Sequence, residues 1–277
     1  MKWMDSSSIS CVVPTLNSAE TLETTLLSLK SQRGVNVEIT VADSGSDDGA
    51  LEICRRFGVT TIYVEPGNMY RAINAGLSQS QSEWLTYLNS DDWLYPDSFA
   101  RLIQRGDSSG ADVVYGDCDY ADGEGRFIYS FAAAKPSQLS PLFRLGRMGF
   151  AQPAAIFRQR LYQRLGGFNE RYRFKADADF FIRALKVGAR FASLDGPSVC
   201  CFRVHAGQLS NRKRELIEEE GAQIFGAPDM KPRLGDSITL ARWRLKNLPH
   251  YLIRIARASL LSRRLRVPRA IEDYTHR

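Results

Sequence analysis

Three acidic stretches and one histidine have the types and spacing to do chemistry. Asn89-Ser90-Asp91-Asp92 follows the apolar run Trp84-Leu85-Thr86-Tyr87-Leu88 without a break. An apolar strand that ends in carboxylates puts charge where open α/β sheets bind ligands. Adjacent carboxylates repel unless a cation sits beside them, and a divalent cation bridging to a diphosphate meets that need. The same turn also reads as a helix cap through Ser90 or Asp92. Asp43 ends a second apolar run and opens Ser44-Gly45-Ser46-Asp47-Asp48-Gly49. That loop lacks the Gly-Lys-Ser/Thr ending of a phosphate-cradling loop and is negative. An acceptor-only carboxylate suits a uracil imide N–H or ribose hydroxyls. A capped helix start through Ser46 or Asp47 is equally compatible, with Asp48 shaping the loop. In Lys175-Ala176-Asp177-Ala178-Asp179, the two acids are two residues apart and cannot share a helix face. Asp177 facing a cleft could act as a base while Asp179 pairs with Arg183; an acidic first turn stabilised by the helix dipole is the plainer origin of such a pair. His205 follows an apolar run, as an ordinary hydrogen-bonded side chain or, with Asn89 and Asp91, as a ligand suited to Mn2+ or Mg2+.

The elements that must position these groups alternate. Residues 9–13 read as a strand stopped by Pro14, and residues 19–32 as a helix with Leu22, Leu26 and Leu29 on one face. Strand signals recur at 37–42, 60–64 and 84–88, with helices to Phe57 and over 70–80 between them. Pro96 and Asp97 mark the next helix start. Such an alternation predicts a mostly parallel sheet with right-handed crossovers. Beyond Ala111 the order changes. Residues 113–117 read as a strand, and Asp122-Gly123-Glu124-Gly125 as the turn joining it to 126–131 in a hairpin. Short helices are expected over 137–145 and 160–165, a strand over 154–157, a helix over 177–187 and a last strand over 198–204.

The 277-residue chain holds no run of eighteen apolar residues and no signal-peptide pattern at its start. Five cysteines without metal-ligand spacing suggest reduced thiols and a cytoplasmic protein. The net charge is +6, yet residues 210–277 carry 15 Lys and Arg against 8 Asp and Glu. The remainder is close to neutral, which argues for an anionic surface facing the tail and against nucleic acid as a partner. Within the tail Ile238, Ala241, Leu245, Leu248, Leu252 and Ile255 recur at three and four, beside Arg242, Lys246 and Arg257. That pattern suits an anionic membrane surface, or a helix packed on the core with a solvated basic face. Pro249 predicts a break or kink in it.

In their order, Val13-Pro14-Thr15-Leu16-Asn17, Val41 to Gly49, Tyr70-Arg71-Ala72-Ile73-Asn74-Ala75-Gly76, Leu88 to Asp92, Gly166-Gly167-Phe168, Ala176 to Asp179 and Arg203-Val204-His205 resemble the family 2 glycosyltransferases. The resemblance covers residues 9–210. It implies a GT-A fold: a Rossmann-like nucleotide-binding half with a mostly parallel sheet (9–110), an acceptor half (111–210), both within a domain over 1–210, and a basic helical extension over 211–277. It also implies an inverting, metal-dependent transfer from a nucleotide-sugar donor, UDP-linked, to a glycan or lipid-linked acceptor in bacterial cell-surface polysaccharide synthesis. Such an enzyme would sit peripherally on the inner face of the plasma membrane.

By the same resemblance Pro14, Asn17 and Asn74 would line the donor site, Asp43 would bind the base and Asp48 would support that loop. Asn89 would open the DxD-like element, Asp91 and His205 would hold Mn2+ or Mg2+, Asp92 would orient the donor sugar and Asp177 would be the general base. Three positions depart from the family pattern: Asn89 for an Asp, Arg71 for an acid, and Ala176 for a Glu. They leave open a catalytically silent nucleotide-sugar-binding scaffold. A nucleotidyltransferase would need a glycine-rich basic loop after the first strand, which Pro14-Thr15-Leu16-Asn17 is not.

Overall fold

A computed structural model describes residues 8–205 and 214–261. Its main sheet has seven strands, in the spatial order 191–193, 113–115, 155–158, 84–87, 8–15, 36–43 and 60–63. The chain runs β1 (Ser8–Thr15), α1 (Ala19–Lys30), β2 (Asn36–Asp43), α2 (Ala50–Phe57), β3 (Thr60–Tyr63), α3 (Met69–Leu77) and β4 (Trp84–Tyr87). After β3 it crosses to the other side of β1, so β1 lies between β2 and β4, parallel to both. This reversal makes a crevice at the C-terminal ends of β1, β2 and β4, where Thr15, Asp43 and Asn89 emerge.

The apolar residues that marked these elements are the ones buried. Leu22, Leu26 and Leu29 of α1 and Ile9, Cys11 and Val13 of β1 share one cluster. Val12, on β1's other face, joins Ile73 and Leu77 of α3 in another. A Cβ added at Gly76 would lie 2.6 Å from Val12 Cγ2, so α3 reaches β1 only through a glycine. Pro14 does not stop β1. It keeps its place opposite Ala42 of β2, beyond the Ile9–Val12 span that pairs with β4, so no ladder bond to β4 is lost there.

The second half adds β5 (Trp93–Leu94), α4 (Ser98–Ser109), β6 (Val113–Tyr115), β7 (Cys118–Asp122), β8 (Phe127–Phe131), α5 (Pro136–Arg144), β9 (Ala155–Arg158), α6 (Gln159–Leu165), α7 (Ala176–Lys186), β10 (Phe191–Ser193) and β11 (Cys200–Val204). β9 runs antiparallel between β4 and β6. A second sheet has the order β5-β11-β7-β8. The hairpin expected from Asp122-Gly123-Glu124-Gly125 forms, but β8 pairs with β7 and not with 113–117. Gly116 and Asp117 separate β6, committed to the main sheet, from β7 in the second sheet. β5 and β10 carry no sequence signal, being two and three residues long.

Two further helices, α8 (Arg214–Phe225) and α9 (Asp236–Leu261), pack on this body. Asp236 pairs with Arg144 of α5 in a buried ion pair of 2.5 Å. Ala132, just past β8, donates its N–H to Asn247 Oδ1 and accepts from Trp243 Nε1. The Trp243 ring meets Phe131 edge-on at 5.4 Å. The expected break at Pro249 is absent, and α9 runs through it as one helix of 26 residues. All five cysteines are buried free thiols. Among the described residues no helix is long and apolar enough to cross a membrane.

Candidate functional site

At the tip of β2, Asp43 is 3 % exposed and organises its own loop. Its Oδ1 accepts from the N–H groups of Gly45 and Ser46, and its Oδ2 from Ser46 Oγ at 2.5 Å. Asn17, at φ 50°, reaches across from the β1 tip: its Oδ1 accepts from Asp47 N, and its own N–H donates to Ser46 Oγ. Asn is among the residues that tolerate this left-handed conformation. Asp48 joins two helix starts, accepting from Ala19 N at 2.7 Å and Ala50 N at 3.0 Å. Pro14, Asn17, Asp43 and Asp48 thus lie on the adjoining tips of β1 and β2.

The β4 tip carries the acidic turn beside them, tied to α1 by the Ser90–Ser18 hydroxyl contact of 2.8 Å. Asp91 Oδ2 meets His205 Nε2 at 2.9 Å, across 114 residues of chain. Arg203 builds this meeting. Its backbone N–H donates to Asp92 Oδ1, its Nε to the Asp91 carbonyl, and its guanidinium covers the Trp93 ring at 4.9 Å. Asp92 has no exposed surface. Burial first, and Asp91 second, push its carboxyl well above the usual carboxylate range, against the Arg203 N–H and the Asn89 amide. Its expected contact with a donor sugar is therefore not what the fold presents; Asp92 braces β11 and the turn instead.

Asp177 opens α7 as a half-buried carboxylate. Tyr70 of α3 directs its hydroxyl to Asp177 Oδ1 and the Phe174 carbonyl, each at 3.2 Å, and the Tyr87 hydroxyl lies against it in turn. Burial raises the Asp177 carboxyl above its ordinary value, moderated by the Ala178 N–H, Tyr70 and Lys175. Tyr87, itself pushed up by burial, feels the charge of both Asp177 and Asp92. Tyr87 thus links the β4 end, which carries the acidic turn, to Asp177 through Tyr70. Asp179 faces away and pairs with Arg183 at 2.7 Å, as their spacing predicts. Arg183 also holds the Leu165 and Gly167 carbonyls.

Asn74 is not brought to this crevice. Its amide is taken up by Tyr162, by Phe168 N and O, and by Glu170, beside an open depression of about 510 Å3 behind α3. It braces the Gly166-Gly167-Phe168 turn. Sequence reading also missed Glu220 of α8, which is 4 % exposed. Its carboxylate accepts from the N–H groups of Arg173, Phe174 and Lys175, at 2.6, 3.0 and 3.0 Å, and so holds the loop that leads into Asp177. Tyr70 was visible as one hydroxyl within an otherwise apolar helix face; Glu220 had no local signal.

The residues present fit a divalent cation. Asp91 and His205 already touch, and Asn89 Oδ1 is a buried oxygen without a hydrogen-bond partner among the described residues. Carboxylate, amide oxygen and imidazole are donor types compatible with Mn2+ or Mg2+.

Comparison with known proteins follows the same lines. Residues 10–166 match the model of "Glycosyl transferase family 2". The succinoglycan biosynthesis protein ExoO of Rhizobium meliloti (strain 1021) is 28 % identical over 222 residues, covering 73 % of this chain and 62 % of that protein. The chain thus spans less than two thirds of that relative. The crystal structure of S. aureus TarS 1-349 with UDP-GlcNAc superposes with a TM-score of 0.63 at 18 % identity, over 84 % of this chain and 69 % of that one. The mannosyltransferase PcManGT from Pyrobaculum calidifontis, in complex with GDP-Man and Mn2+, gives 0.60 at 18 % identity, over 96 % and 78 %. At these identities the structural likeness speaks for the fold, which is that of the GT-A glycosyltransferases.

Proposed function

From its membership of glycosyl transferase family 2, which makes this chain a glycosyltransferase, we propose that it transfers a sugar from a UDP-linked donor to a hydroxyl of a glycan or lipid-linked acceptor, with inversion, in bacterial cell-surface polysaccharide synthesis. The observation that carries this reading is the crevice at the β1, β2 and β4 tips, with the Asp91–His205 contact at the β4 tip and Asp177 joined to the same strand through the Tyr70 and Tyr87 hydroxyls. UDP-GlcNAc in TarS and GDP-Man with Mn2+ in PcManGT support a nucleotide-sugar donor on this fold.

The Asp43 loop and Asn17 receive the nucleoside. Asp91, His205 and Asn89 would hold Mn2+ or Mg2+, which when bound would stabilise the charge that develops on the departing diphosphate. Arg203 keeps Asp91 and His205 in register through the Asp91 carbonyl. Asp177 takes the proton from the acceptor hydroxyl as that oxygen attacks the anomeric carbon from the side opposite the diphosphate. Its raised affinity for a proton suits a base that must bind one during the transition state. A single displacement inverts the anomeric centre and needs no enzyme nucleophile. Residues 1–210 form the catalytic domain in this reading, with 9–110 serving the donor and 111–210 the acceptor. Residues 211–277 place the enzyme peripherally on the inner face of the membrane, where a lipid-linked acceptor lies.

Release of nucleoside diphosphate from UDP-, GDP- and dTDP-sugars, with Mn2+, with Mg2+ and with EDTA, tests the proposal. Metal-dependent turnover of UDP-sugars is expected. Turnover confined to another nucleotide overturns the UDP assignment. Nucleotide binding without turnover, even with glycan acceptors added, would replace the enzyme by a silent scaffold.

A further inference from the structure

The tail helix α9 has two stripes, and the fold uses one of them. Asp236, Leu240, Trp243 and Asn247 recur at three and four, and this face docks on α5 and the end of β8. Ile238, Ala241, Leu245, Leu248 and Leu252 recur at the same spacing half a turn away. Their side chains point to solvent, with Ile238, Leu245, Leu248 and Leu252 exposed by 58, 66, 45 and 57 %. Four large aliphatic side chains in one exposed row are not needed by the core, since Trp243 and Leu240 already fill that contact. A solvated helix back would carry polar residues here.

Charge names the occupant. The exposed Arg244 flanks the row on one side, and the exposed Arg242 and Lys246 flank it on the other. From Lys231 to Leu261 the sequence has seven Lys and Arg and a single acid, Asp236, which is spent on Arg144. Arg263, Arg264, Arg266 and Arg269 follow in the sequence. An apolar row edged by cations on both sides matches the acyl boundary and anionic headgroups of a lipid surface. A protein partner would need acids of its own on both sides of an apolar groove, and nothing in the fold points to one.

We propose that the outward face of α9 is a membrane-docking surface: Ile238, Leu245, Leu248 and Leu252 enter an anionic lipid leaflet while Arg242, Arg244 and Lys246 meet its headgroups. The helix lies in the plane of the surface and the catalytic body rides on its opposite face. This deepens the lipid-linked acceptor reading and rests on it for its purpose, though not for its physics. Docking would hold the crevice at the surface that carries such an acceptor.

Co-sedimentation of the full chain with vesicles containing phosphatidylglycerol, against vesicles of phosphatidylcholine alone, tests it without any sugar substrate. Binding to the anionic vesicles is expected, weakening as salt is raised. Leu245→Ser with Leu248→Ser should lower the partition by ~10-fold or more, because the apolar half of the contact is lost. Arg242→Glu with Lys246→Glu should lower it by at least about fivefold per charge, removing the preference for anionic lipid. All four side chains are exposed, so melting temperature and donor hydrolysis without lipid should match wild type. Equal partition of wild type and the Leu variant overturns the proposal. So does a concentration-dependent dimer without lipid binding that the Leu variant dissociates. Donor hydrolysis in lipid-free solution reports on the transferase reading alone, so failure of one is distinct from failure of the other.

Discussion

Replacement of Glu220 probes a link that joins the C-terminal helices to the proposed base. Its carboxylate satisfies three consecutive backbone donors, those of Arg173, Phe174 and Lys175, just ahead of α7. They belong to Lys175, the N-cap of α7, and to the two loop residues before it, and a backbone N–H turned away from water needs such a partner. Hydrogen bonds to a charged group are worth about 1.5–3 kcal/mol each, and water can replace part of that at a half-buried loop. Glu220→Ala should therefore cost ~3 kcal/mol in net stability. At about 2–4 °C per kcal/mol for a chain of this size, the melting temperature should fall by ~6–12 °C. Glu220→Gln keeps one acceptor oxygen but turns an amide NH2 toward a backbone N–H, so roughly half of that loss is expected. Activity should respond more steeply than stability. Asp177 lies two residues past Lys175, and a displacement of about 1 Å at a reacting group can cost ~100-fold. The assay is thermal melting by circular dichroism, paired with transfer kinetics well below the melting temperature. In the Gln variant kcat should drop while KM for the donor holds, because the donor loops hang on β1 and β2. An Ala variant with the melting temperature and kcat of wild type would refute the clamp.

Asp177→Asn should reduce transfer by ~10^3-fold, within the range that positioned bases supply. Burial places the folded-state pKa of Asp177 above its unfolded value, so its ionisation costs stability as pH rises through that pKa. The Asn variant should accordingly melt at or above the wild-type temperature at neutral pH; near wild-type transfer would rule Asp177 out as the base. Tyr70→Phe removes the hydroxyl that favours ionised Asp177. The acidic limb of the kcat profile should move to higher pH, with the rate below it falling ~10-fold for a loss of ~1.5 kcal/mol; an unmoved limb contradicts the contact. Asp91→Ala should raise the Mn2+ concentration for half-maximal donor hydrolysis by at least ~10-fold. An unchanged metal titration would place the cation elsewhere.

Local pattern was enough for the elements that carry the donor side. Strand-like runs ending at Asp43 and at Asn89 announced strand tips, because a parallel strand is apolar where the fold covers it and polar where it leaves the sheet. Leu22, Leu26 and Leu29 announced the inner face of α1, and four-residue spacing announced the Asp179–Arg183 pair. These are consequences of backbone geometry within one element, and periodicity records them directly.

Tertiary structure decided which of those groups meet. Tyr70 reaches Asp177 across 107 residues and His205 reaches Asp91 across 114. Arg203 and Glu220 act through backbone groups that no side-chain pattern reveals. Asn74 and Asp92 turned out to brace the fold, since every polar atom of one and the whole surface of the other are used inside it. Two stripes run along α9, and composition favoured the wholly apolar one, which faces solvent. Trp243 and Asn247 won the docked side because the end of β8 offers an aromatic ring and a free backbone pair that only they match. The sequence of a helix states what each face could bury; the shape and unpaired groups of its neighbours choose the face.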